Sequence, residues 1–222
     1  SGGIYVANAT NQTPKFVNCL LENNTSGRYG AAIRVLNSTD AGLISNCTFT
    51  GNSVTSNGYD GGAVHVGATI TIANSAFTNN SAKTDGGAID IAPGAGATGI
   101  VSDCTFYGNT ADGDGGAIHV LTGDALINRC TFITNTASSE GGAIASVKTV
   151  SEIRNCSFAR NRNLAGNGGG AIYLNSATAT GFVDNCTFFT NYSAAAGGAL
   201  NVRNGQFNVT NCIFWCNVAA GN

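Results

Sequence analysis

Carboxylates recur at one position of this chain. Asp60, Asp85, Asp114 and Glu140 each stand immediately before a Gly pair, at steps of 25, 29 and 26 residues. If those positions stack, the four charges repel one another, and a bound Ca²⁺, which prefers hard oxygen ligands, relieves the repulsion. The same placement suits a simpler role, in which each side chain caps the following glycine turn by accepting backbone N–H groups. Five residues beyond the first three acids stand His65, Asp90 and His119, with Tyr173 further along the same row, and this row holds both of the 2 His in the chain. Imidazole beside carboxylate is the raw material of acid–base chemistry, and glycoside hydrolysis needs two or three carboxylates at fixed separation. No Lys or Arg stands beside the acids to serve as a lyase base, since Arg34 falls two repeats before Asp90. The row is therefore read as a ligand-contacting surface rather than a catalytic one.

What must position these residues is a repeat. One motif, Gly-Gly-Ala-Ile-x-Val, recurs with its aliphatic centre at Ile4, Ile33, Val64, Ile89, Ile118, Ile144, Ile172 and Leu200. A second, Asn-Cys-Thr-Phe-x-x-Asn, ends at Asn24, Asn52, Asn80, Asn109, Asn135, Asn161, Asn191 and Asn217. From Asn24 to Asn217 is 193 residues in seven steps, about 28 each, with no helical stripe and only short alternating pieces between turn residues. The pattern predicts an all-β fold over residues 1–222: a single-stranded right-handed parallel β-helix of about eight coils, three short strands per coil and a rise of about 4.8 Å. The strands are the Ala-Ile-x-Val piece, a piece ending three residues before the Cys position, and Cys-Thr-Phe. Between the second and third lies a two-residue corner, whose second residue is Asn18, Asn46, Asn74, Asp103, Arg129, Asn155, Asn185 or Asn211. Asn and Asp tolerate the left-handed backbone such a corner needs. Loops fall between the first and second strands and between the repeated Asn and the Gly pair. In register, the repeated Asn becomes an amide ladder.

Of 8 Cys, seven share one row with Ser75 in the gap, and no Cys-x-x-Cys spacing or His pair marks a metal site. Buried free thiols are expected, because parallel Cβ vectors in register make poor bridges; Cys216, outside the row, is the better candidate for a bridge. Tyr107, Ile133, Phe189 and Trp215 share an outward row that turns apolar toward the C-terminal coils, an interface candidate. Charged residues make up 10% of the chain and the net charge is −2 without a Lys/Arg cluster, which argues against nucleic acid. No apolar run is long enough for a membrane span.

The alternating Gly-Gly-Ala-Ile and Phe-x-x-Asn motifs resemble the repeats of the polymorphic outer-membrane proteins, autotransporter adhesins with a pectate-lyase-like superfold, and the likeness covers all eight coils. The resemblance implies secretion, display at the cell surface and attachment to a glycan or another cell-surface ligand. It gives an extracellular adhesin or stalk segment, structural and binding rather than enzymatic. Two alternatives stay open: a filament subunit whose copies stack end to end, and a polysaccharide lyase or glycoside hydrolase using the first-strand face. The chain is expected either to continue a longer solenoid or to assemble head to tail.

Overall fold

The computed structural model describes residues 2–7, 13–36, 42–93, 98–147 and 151–221, with 177–180 described for their backbone alone. Strand pairing is parallel and joins each repeat to the next. The coil beginning at Ile118 contains strands Ile118–Val120, Asp124–Asn128, Thr131–Ile133 and Thr136–Ala137. The first three are the expected segments. The fourth lies in the stretch read from the sequence as loop, and with its equivalents it builds an eight-stranded sheet of its own. Two residues are too few to show a period, yet each coil turns one small side chain inward there, as at Val54, Ala82, Ala111 and Ala137. First and second strands share one 14-stranded sheet, because Ile172–Asp184 runs through both positions without a break.

Both corners are set by left-handed residues. At the expected corner Asn18, Asn46, Asn74, Asp103, Arg129, Asn155, Asn185 and Asn211 all have φ between 49° and 57°. A second row, just before the repeated Asn, does the same with Asn23, Gly51, Asn79, Gly108, Thr134, Arg160, Thr190 and Cys216. At these two corners the bend is set by residue conformation, and a third left-handed position recurs at the Gly pairs, as at Gly61, Gly86 and Gly115.

Inside, like lies on like. Phe49, Phe77, Phe106, Phe132, Phe158, Phe188 and Phe214 form a column with centroids 4.6 to 4.9 Å apart and ring planes within 7° of parallel. Burying each ring contributes about 2 kcal/mol. The Asn ladder is equally regular. Asn109 Nδ2 donates to Asn135 Oδ1 at 2.9 Å and to the Phe77 carbonyl at 3.0 Å, while its Oδ1 accepts the Asn80 amide Nδ2 and the Asn80 backbone N–H, each at 3.0 Å. The same link runs from Asn24 through Asn52, Asn161 and Asn191 to Asn217. From Asn52 to Asn191 this polar row is fully buried, and it is stable because every side-chain amide donor and acceptor there is used.

The cysteines are free, and those of the row act as short polar links. Each thiol donates to the carbonyl two residues back, as Cys130 Sγ does to Asn128 at 3.3 Å, and the Cys130 N–H donates to Cys156 Sγ at 3.4 Å. Ser75 fills its gap by the same geometry, accepting from the Cys47 N–H at 3.1 Å and donating to the Ala73 carbonyl at 2.8 Å. Cys216, the expected bridging candidate, is exposed and unbridged at a left-handed corner.

Candidate functional site

The Gly pairs fold the preceding loop against the outer side of the first strand. In the coil of Asp85, Gly86 has φ +64°, and a Cβ there would lie 2.4 Å from the Ile89 carbonyl oxygen. A Cβ on Gly87 would lie 2.1 Å from the carbonyl of Gly116 in the next coil. Only glycine permits both approaches. The consequence overturns one expectation from sequence: the row of His65, Asp90, His119 and Tyr173 faces away from the phenylalanine core but is roofed over. His65 is 7% exposed, His119 2%, and Asp90 and Tyr173 0%. Alternation along a three-residue strand signals which residues leave the core and carries no information about a loop that returns over them.

Strand register sets His65, Asp90 and His119 side by side in successive coils. Asp90 Oδ2 lies 2.8 Å from His65 Nδ1 and Asp90 Oδ1 2.8 Å from His119 Nδ1. Burial alone would raise the Asp90 carboxyl; the hydrogen bonds and charge of His119 and His65 outweigh it and hold the group at about 2. Burial alone would lower His119; the bond to Asp90 and the charges of Asp90, Asp85 and Asp114 lift it to about 9. At neutral pH a buried carboxylate therefore faces a buried imidazolium. Tyr29, from the loop before Gly30, lays its ring 4.5 Å from that of His65, and Arg34 sits 4.8 Å over Tyr29 and 5.4 Å over Tyr5. Sequence reading passed over Tyr29, although it occupies the position that carries Asp60 in the next coil.

Next to this row run the acids. Asp60 and Asp114 are pushed up to about 6, by burial first and then by the charges of Asp90 and Asp85 respectively. Their hydrogen bonds correct the capping expectation. Asp60 Oδ1 accepts the N–H of Asp85 at 3.2 Å, and Asp85 Oδ1 that of Asp114 at 2.7 Å, so the carboxylates tie coil to coil and do not close their own glycine turns. Glu140 stands apart, bonded to Asn167. The four acids therefore form no single oxygen cage for Ca²⁺. Asp85 and Asp114 meet His119 instead, with one ligand atom from each within 4.8 Å of the others.

Of the interface candidates, Tyr107, Phe189 and Trp215 are exposed, at 48%, 46% and 64%, and Ile133 is half-buried. The ladder runs Tyr107, Ile133, Ala159, Phe189, Trp215, so Ala159 divides the strip in two. Among surface depressions, a trough of about 460 Å³ is lined by Asn46, Thr48, Asn74, Ser75, Asp103 and Thr105, away from the His–Asp row.

A family model described as a right-handed β-helix region matches residues 2–139 and, overlapping, 88–221. The chain belongs to the right-handed β-helix family. A search of curated proteins and a search of solved structures returned no match. The right-handed β-helix family includes enzymes, so membership settles the fold and leaves function to be argued from the site.

Proposed function

We propose that this right-handed β-helix is a structural and binding segment of an extracellular adhesin or stalk, like the polymorphic outer-membrane proteins its repeats resemble, and not a catalyst. The observation that carries the reading is how its acid–base groups are spent. Both oxygens of Asp90 are engaged by His65 and His119 beneath the surface, and Asp60 and Asp85 are engaged in linking coils. The flank is left to meet a ligand. The Asn, Asp and Thr groups of the 460 Å³ trough offer the amide, carboxylate and hydroxyl partners that bind sugar hydroxyls. The purified chain, applied to glycan arrays, matrix proteins and whole cells and incubated with a panel of polysaccharides, is expected to bind without releasing product. Chain cleavage that disappears in Asp85→Ala would overturn the reading in favour of a lyase or glycoside hydrolase.

End-to-end association with further copies is a second reading, favoured by Phe214, the last ring of the core column, which is 48% exposed where Phe188 in the preceding coil is 0%. A further coil, from the same polypeptide or from another copy, would cover it. Negative-stain imaging of concentrated protein decides between the two: filaments support copies stacking, and rods of one fixed length count against it.

A further inference from the structure

We propose that Asp85, Asp114 and His119 bind a divalent transition-metal ion of the Zn²⁺ class, and that Ca²⁺ is not its ligand. Two carboxylates and an imidazole are the donor set of Zn²⁺, Mn²⁺ or Co²⁺, whereas Ca²⁺ takes oxygen almost alone. One ligand atom from each residue lies within 4.8 Å of the other two. Donors about 2.0–2.2 Å from a shared ion are themselves roughly 3.5 Å apart, so shifts below about 1 Å per side chain close the set.

The donors are left over from the fold's own bonding. Asp85 Oδ1 takes the Asp114 N–H at 2.7 Å, which leaves Oδ2. Asp114 Oδ1 is sealed from solvent and has no hydrogen-bond partner among the described residues, an observation independent of the ligand spacing. An unsatisfied buried carboxylate oxygen is costly, and a cation relieves it. Asp90 Oδ1 already holds His119 Nδ1 at 2.8 Å, the carboxylate–histidine pairing that fixes ring orientation around metals, so Nε2 is the nitrogen left for the ion, which takes the place of its proton. Asp85, 24% exposed at its side chain, leaves a way in. Asp60 and Glu140 stay outside the set. The inference does not depend on the adhesin reading.

Titrating the purified full chain with Co²⁺, followed by its visible ligand-field absorption, is expected to saturate at one ion per chain. Zn²⁺ should displace the cobalt and a large excess of Ca²⁺ should not. His119→Gln and Asp114→Asn should each abolish saturable uptake, and Asp90→Asn, acting through His119, should weaken it about 10- to 100-fold. Absence of saturable uptake, displacement by Ca²⁺, or full uptake by folded His119→Gln would each overturn the proposal. Should His119→Gln lose its far-UV circular dichroism, Asp85→Asn decides, being at the open edge: retained cobalt binding there overturns the site, and lost binding with intact dichroism supports it.

Discussion

Asp90→Asn tests the buried charge pair directly. The folded chain raises His119 from 6.5 to about 9, chiefly through Asp90 acting against burial. A group so raised contributes stability that is fully present below pH 6.5 and is lost as pH rises through 9. The shift is worth about 3.4 kcal/mol in full at 1.36 kcal/mol per unit, and about three quarters of it, about 2.5 kcal/mol, is present at pH 7. Asn carries no charge to hold the imidazolium, while the roof of the glycine turns still excludes water, so only the smaller contributions of Asp85 and Asp114 then act against burial and the ring falls back toward its ordinary value. The chain has only 2 His, which makes both imidazole signals assignable by NMR. The wild-type His119 signal should titrate near pH 9, and in Asp90→Asn well below that. Urea unfolding at pH 7 should show the variant less stable by up to about 2.5 kcal/mol, with the gap narrowing at pH 10. A wild-type His119 midpoint near 6.5, or a variant midpoint still near 9, would refute the argument.

The pH profile of stability should peak in mild acid. Asp60 and Asp114, held at about 6, are strained as carboxylates, so protonating them stabilises the fold as pH falls through 6 toward about 4; Asp90, held at about 2, withdraws its contribution only below about 4. Thermal melts from pH 3 to 8 check this, and a maximum at pH 8 would contradict it. Asn109→Ala orphans partners in both neighbouring coils, on Asn80, Asn135 and Phe77, and should cost at least about 3 kcal/mol in chemical denaturation. Cys130→Ser should change stability by under about 1 kcal/mol, because Ser75 already performs that role, whereas Cys130→Val removes the acceptor for its neighbour's N–H and should cost about 1–3 kcal/mol.

The fold was legible because its determinants are local and repeated. An Asn recurring eight times, with a Phe three residues before it in seven of the copies, leaves one arrangement in which the rings and amides find partners, and the left-handed corners are written in the residue types themselves. The two-residue fourth strand escaped because pairing there is imposed by the neighbouring coils and not by its own sequence. The site was legible as a row and not as an environment. Spacing placed His65, Asp90 and His119 together, yet their burial depends on how Gly86 and its equivalents fold a loop back, a tertiary fact with no periodic trace. The pairing of Asp85 and Asp114 with His119, five residues beyond the acid position, likewise comes from that fold-back. The two Cys environments separated cleanly because one sits in phase with the repeat and Cys216 does not.

The amide ladder has a sense of direction. Every Nδ2 from Asn24 to Asn191 hands its proton toward the Asn217 side, so seven side-chain dipoles add head to tail along the axis. A surface built on Asn24 offers a bare carbonyl, and one built on Asn217 a spare N–H. Whatever meets those faces must match them with opposite chemistry, and two identical faces set against each other would confront like with like, making the molecule a vector and not merely a rod.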